Sequence, residues 1–348
     1  MNPAQLIPTP DTLPVTWPWF KALLIPCFMV HLLFMNALLG TAVLGWVHVL
    51  APRGRETAGT ISRKLPFYAA FTINFGVAAL LFMQVLYGHL FYTSSILMAV
   101  WWLSALALLA AAYGAAYWIE FRFERLAGGL ALVWTAMAVS LLLVAFVFTN
   151  NMTLMLDPGA WPRYFQNPRG TLWHWQDPAL WPRYLHFVTA SVAVGGLVLA
   201  VINRKRPAEY TDGFMQWFTA ATALQLVIGG WLFMTLPADI RLAFLGGNTH
   251  ATAFFAMALA GFLVSMVFGS RRRIWPSVGA LLFTVAAMVL VRDALRDLYL
   301  APYFTPDKLT VHAQYSPLVV FGLFVAVGAA AVWYLVRLNG SSNRQMVE

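Results

Sequence analysis

The sequence predicts an all-α integral membrane protein of about nine transmembrane helices, and three observations predict it. Of 348 residues, 61% are hydrophobic and only 10% are charged, whereas a soluble domain carries about a quarter charged residues. Apolar runs of about 20 residues, enough to cross roughly 30 Å of hydrocarbon, can be read nine times. The connections between them are short apart from one, so residues 1–348 read as a single transmembrane helical domain.

The first apolar run, 19–49, follows a proline-rich segment, 1–18, whose first sixteen residues hold no charge except Asp11. That run is too long for a cleavable signal core, so the first helix is expected to stay. The next three runs fall at 66–92, 95–119 and 127–149. Then comes the long connection, 150–182, rich in Trp, Tyr and Pro as befits a segment at the membrane surface, with "WPRY" at 161–164 and again at 181–184. The two copies read as interfacial anchors. The remaining runs are 183–203, 214–236, 250–269, 274–295 and 315–337, and 338–348 forms a tail.

The net charge of +9 is not a nucleic-acid signature, because the basic residues sit in short loops between apolar runs. Arg53, Arg55, Arg63, Lys64, Arg122, Arg125, Arg204, Lys205, Arg206, Arg271, Arg272 and Arg273 follow odd-numbered helices, and the tail region adds Arg337 and Arg344. By the positive-inside rule those loops and the tail are cytoplasmic, while 1–18 and 150–182 are periplasmic. The expected location is a bacterial inner membrane. Cys27 is the single cysteine, which leaves no disulfide within the chain, no CxxCH attachment of a c-type haem and no cysteine-ligated cluster.

Polar groups inside membrane helices are costly enough to be functional hypotheses. Here they are His31 and Asn36 on the first helix, Asn74 and Gln84 on the second with His89 near its outer end, Gln225 on the sixth, and Arg292 and Asp293 on the eighth. His186, His250 and His312 lie at or just inside the outer ends of the fifth, seventh and ninth. Without ligating cysteines, haem iron in a helical bundle needs axial His or Met, and a flat ring needs small residues beside it. His186 followed by Thr189, Ala190, Ala193 and Gly196 offers such a face at spacings of three and four. The same pattern also suits a helix-end histidine beside residues that pack against a neighbouring helix. His250 and Met257 are seven residues apart, on one face of the seventh helix, and either could complete a site with His186. His31 needs a partner in its apolar surroundings: haem iron is one, and a hydrogen bond to Asn74 or Gln84 is the other.

These segments resemble subunit I of the cytochrome bd quinol oxidases, a nine-helix bundle. "HLLFMNALLGTAVL" is similar to that family's first-helix segment with a haem-ligating histidine, which maps onto His31. "INFGVAALLFMQVLYG" resembles its second-helix segment, matching at Asn74, Phe75, Gly76, Val77, Gln84 and Gly88. "RYLHFVTASVAVGG" resembles the segment holding the axial histidine of the quinol-side haem b, and "FFAMALAGF" the one with the opposing methionine. The resemblance therefore implies that His31, His186 and Met257 are metal ligands, with His250, Gln84 and Asn74 in cofactor contact. It runs over roughly 20–270.

The departures are directional. Residues 95–119 carry no carboxylate where the family places acids of its oxygen-reducing site. "LLFTVAAMVLV" in the eighth helix lacks the glutamate that serves a second haem b, and the long quinol loop is reduced to "PADIRLAFLGGN". Electron-transfer ligands are kept while oxygen chemistry is lost. "QVLYGHLFYTSSILM" and "PRYLHF" further resemble shortened relatives that partner multihaem c-type cytochromes. The resemblance implies two haem b groups and oxidation of a lipid quinol, menaquinol or ubiquinol, with electrons leaving to a periplasmic or membrane-anchored c-type cytochrome. Arg241 is expected to polarise a quinol oxygen, and Asp239 or Asp293 to accept a proton, although the alternating charges of "RDALRDLY" also read as groups that simply pair with one another at the interface. The alternatives are an oxygen-reducing bd-type quinol oxidase and a haem-free transport or assembly subunit.

Overall fold

The computed structural model describes residues 3–51, 54–125 and 128–345, with side chains placed as far as Leu338. Arg53, the side chain of Arg344 and the last residues of the tail lie outside that description. Nine long apolar helices cross the bundle among the described residues. They are α1 (Trp17–Leu50), α2 (Leu65–Leu97), α3 (Ala99–Arg122), α4 (Leu130–Leu156), α5 (Leu180–Ile202), α6 (Ala208–Thr235), α7 (Thr249–Ser270), α8 (Ile274–Leu300) and α9 (Tyr315–Gln345). The chain is a multi-pass helical membrane protein. Several predicted boundaries shift by four residues or more, furthest at two ends: α4 runs seven residues past 149, so the long connection begins at Asp157, and α9 stays helical beyond 338 to Gln345.

With lipid tails as apolar as leucine, helices associate through close packing of small residues and internal hydrogen bonds. α1 is the hub, in contact with α2, α4, α5 and α8. A Cβ on Gly40 would stand 1.7 Å from the Ser191 carbonyl oxygen, which makes Gly40 the α1–α5 crossing point. There Ser191 donates to Asn36 Oδ1 at 2.6 Å, satisfying one of the polar groups singled out in α1. The indole of Trp134, fully buried, fills the space beside Gly45 and donates to the Ala42 carbonyl at 2.8 Å. Gly196 repeats the device between α5 and α6, where a Cβ would lie 2.8 Å from the Phe214 oxygen and the Phe218 nitrogen.

That contact corrects the expected ring-bearing face. Ala193 and Gly196 are buried where α5 packs on its neighbours, and only Thr189 and Ala190, half-buried, remain open beside His186. The two "WPRY" copies also differ. Trp161 is fully buried in the 3-10 helix Pro158–Gln166 and donates to the Leu154 carbonyl, while Trp181 is 44% exposed. Trp181 belongs to an aromatic cluster with Phe146, Trp175 and Tyr184, the composition of a membrane interface. At the same end the N-terminal segment pairs with the approach to α9, through Leu13 N–H to Thr310 O and His312 N–H to Leu13 O, both 2.8 Å. α9 stands off the bundle, every described side chain from Tyr315 to Leu338 being exposed.

Candidate functional site

His31 lies about 21 Å along α1 from its start at 1.5 Å per residue, with its ring against α2. Its Nδ1 is 2.9 Å from the Thr72 carbonyl. A carbonyl only accepts, so Nδ1 carries the proton and Nε2 presents a lone pair. The ring rests on Gly76, where a Cβ would come within 2.8 Å of Cε1 and 2.9 Å of Nδ1. One nitrogen tied to a carbonyl and the other left as acceptor is the arrangement that orients metal-ligating histidines. The expected alternative partners are elsewhere: Asn74 and Gln84 are both exposed on the far side of α2, and Gln84 accepts from the Tyr92 hydroxyl at 2.8 Å. The residue that matters for the ring is Gly76, because positions 74 and 76 point about 200° apart on a helix.

His186 lies about 9 Å inside the start of α5. Its ring packs on Gly229 of α6, where a Cβ would be 3.3 Å from Cε1 and 3.4 Å from Nδ1. Gln225, one turn earlier on α6, donates to the His186 carbonyl at 2.6 Å, which gives this polar group its role. Nδ1 is buried without a hydrogen-bond partner. Such an orphaned polar atom marks either strain or a missing ligand or water. Met257 sits at comparable depth, about 12 Å into α7, and is 38% exposed. α5 and α7 are not packed along one another; α6 and α8 lie between them. His186 and Met257 therefore stand on helices that do not pack directly against each other.

The three expected acid and base residues do not converge. Arg241 donates to the Met234 carbonyl at 2.8 Å, closing the end of α6, and Asp239 is exposed in the short helix Ala238–Leu242. His250 is exposed at the start of α7, which Asn248 caps by accepting from Ala251 N–H at 3.0 Å. Asp293 belongs to a different place. It pairs with Lys21 of α1 at 2.9 Å and with Arg296, while Asp297 pairs with Lys21 and accepts from the Tyr87 hydroxyl at 2.8 Å. Tyr87 is fully buried where α2 departs from helical geometry (φ −134°, ψ 18°). Doubly paired, Asp293 belongs to an ion network that joins α1, α2 and α8, the pairing that stands as the alternative to a proton-accepting role.

One member of "RDALRD" is left out of the network. Arg292 has no carboxylate within ion-pair distance among the described residues, and its guanidinium lies 4.4 Å over the Phe28 ring. Phe28 in turn lies 6.1 Å from the His31 ring, centroid to centroid. Arg292, Phe28, Leu24 and Val289 line a cleft between α1 and α8. An unpaired cation in such surroundings is costly, and its place inside an apolar run is the signal by which it stands out in the sequence.

A second polar group lies in the long connection. His174 is buried, with Nε2 3.1 Å from Asp157 and 3.4 Å from Asp177, and Arg163 against Nδ1. Burial works against a charge on His174, but the two carboxylates outweigh it and hold its pKa above the usual histidine value. Burial likewise opposes the Asp177 charge, and His174, the Ala179 N–H and Arg183 more than offset it, so the carboxyl titrates below its usual range. No spacing in "TLWHWQDPALW" announced this cluster, since its members come from three separate stretches. Among the described residues no three His, Cys, Asp or Glu side chains converge on a metal ion. No family model, curated protein or solved structure matches this chain.

Proposed function

We propose that the chain is a haem b-carrying membrane subunit that oxidises a lipid quinol, menaquinol in the first place, and hands the electrons to a c-type cytochrome on the periplasmic side. The observation that carries this reading is His31: its tautomer is set by the Thr72 carbonyl, its ring is seated on Gly76, and Nε2 is left as a free acceptor. His186, with its orphaned Nδ1 and its glycine seat, supports a second such position, at which His186 and Met257 would be the residues holding the group. Bound haem supplies a one-electron acceptor for each half of the quinol oxidation.

The other roles belong to the chain's own side chains. Arg292, a cation without a protein anion and next to Phe28 beside His31, suits the carboxylate of a haem propionate. Exposed Leu242 and Leu245, with Asp239, Arg241 and His250 around them, give an amphipathic surface at the ends of α6 and α7 for a quinol headgroup. Asp239, exposed and unpaired among the described residues, accepts a proton there, and Arg241 steadies the segment through Met234. Between Ala99 and Ile119, α3 offers no carboxylate to deliver protons to oxygen. The test is anaerobic. Reduced menaquinone analogue should reduce the visible bands of the purified protein, and added c-type cytochrome should reoxidise them. Rapid reoxidation by oxygen with no need for a cytochrome would replace this reading with the oxidase one.

A further inference from the structure

At the basic end of the bundle, two turns carry more positive charge than their neighbours neutralise. The α5–α6 turn holds Arg204, Lys205 and Arg206, and the α7–α8 turn holds Arg271, Arg272 and Arg273. Arg206 is paired with Glu56, which also accepts from the Tyr210 hydroxyl at 2.7 Å, and Arg272 is paired with Asp212. Glu209 is the remaining carboxylate nearby, so six cations face three acids. Arg204, Lys205, Arg271 and Arg273 have no ion pair among the described residues, and Arg204, Lys205 and Arg271–Arg273 are exposed.

The two turns are held together. Arg204 lies 5.8 Å over the ring of Trp275 in the first turn of α8, and Trp275 is itself 62% exposed. The α7–α8 turn is built at a cost: Arg272 is the only non-glycine with positive φ (54°) among the described residues, a place glycine usually takes at a helix end. Its ion pair to Asp212 and the Arg273 N–H to Phe268 carbonyl bond (3.0 Å) keep it there. All three arginines of this turn are exposed, and only Arg272 is ion-paired among the described residues. Topology signalling or a helix dipole asks only for cations near the end of a helix. It does not ask for a strained turn, or for an arginine stacked on an exposed tryptophan of the next helix.

We propose that Arg204, Lys205, Arg271 and Arg273 bind the headgroup of an anionic phospholipid, one phosphate at each turn, so that a two-phosphate lipid such as cardiolipin fits best. Trp275 stands at the boundary where headgroup meets acyl chain, the depth at which amphipathic rings settle. The lipid ties the α5–α6 and α7–α8 hairpins together from outside. This site is independent of any haem.

The test is lipid binding by native mass spectrometry on the delipidated full chain, with cardiolipin, phosphatidylglycerol and phosphatidylethanolamine as probes. Cardiolipin should bind most tightly and phosphatidylethanolamine least. The R204Q/R273Q variant should bind cardiolipin about 25-fold more weakly, each cation near an anionic surface contributing about fivefold. R125Q, at the same end on the α3–α4 turn, should be unchanged. High salt should release cardiolipin from the wild-type chain, a measurement that holds even if the double variant does not insert. Equal binding of all three lipids, or equal loss in R125Q, would overturn the proposal. Displacement of cardiolipin by inorganic phosphate at similar concentration would mark a free-phosphate site and overturn the lipid assignment.

Discussion

A single methyl group at position 76 probes the seat of His31. The Cβ of Gly76→Ala would stand 2.8 Å from Cε1, whereas ordinary contact begins at 3.4 Å, so the ring must retreat by about 0.6 Å. That stretches the 2.9 Å bond from Nδ1 to the Thr72 carbonyl to the edge of hydrogen-bonding range. Losing it costs about 1 kcal/mol, and overpacking adds about 1–3 kcal/mol. If His31 is an iron ligand, disturbing the group that orients it should also weaken cofactor binding by about 10–100-fold. Thermal unfolding and the haem-to-protein ratio read the two effects separately. Gly114→Ala is the control, because a Cβ there meets nothing within 4 Å. Gly76→Ala with the melting temperature, haem ratio and spectrum of the wild type would refute the reasoning.

Four other perturbations have definite signs. The folded pKa of His174 is raised, so its contribution to stability is complete below about 6.5, the unfolded value, and is lost as pH rises through the folded value. Amide protection factors in 157–179, with the intrinsic pH dependence of exchange divided out, should fall between mildly acidic and alkaline pH, and His174→Gln should remove that fall. Lys21→Met strips two carboxylates of a shared, mostly buried partner and should cost about 2–4 kcal/mol, with Lys21→Arg largely restoring it in a thermal melt. Removing Arg206, the partner of exposed Glu56, should leave the thermal melt nearly unchanged, because solvent screens such a surface pair. Gly40→Ala puts a carbon 1.7 Å from a backbone oxygen at the α1–α5 crossing and should lower stability by about 3 kcal/mol or more, seen as a collapse in detergent-stable yield.

The nine helices were legible because hydrocarbon thickness imposes a length and a composition that 61% apolar residues reveal directly. α4 overran its expected end because Thr149, Asn150, Asn151 and Thr153, polar in sequence, are buried in it and find partners such as the Ala145 and Thr149 carbonyls. Site prominence was half legible. His31 and His186 stood out as expensive polar groups, but which residues seat them depends on how helices rotate against each other. Hydropathy does not encode that rotation. Thus Gly76 and Gly229 carry the rings, Asn74 faces away, and Gly196 packs a helix crossing. The separation of Asp293 from Asp239 is likewise tertiary: Lys21, 272 residues away in sequence, claims the former.

The most direct measurement of the central claim is the haem content of the purified chain, taken by pyridine haemochrome assay alongside His31→Ala and His186→Ala. Two haem b per wild-type chain and one in each variant, with a different visible band lost in each, is the result this account predicts. A chain that stays folded and colourless with haem supplied during expression would contradict it.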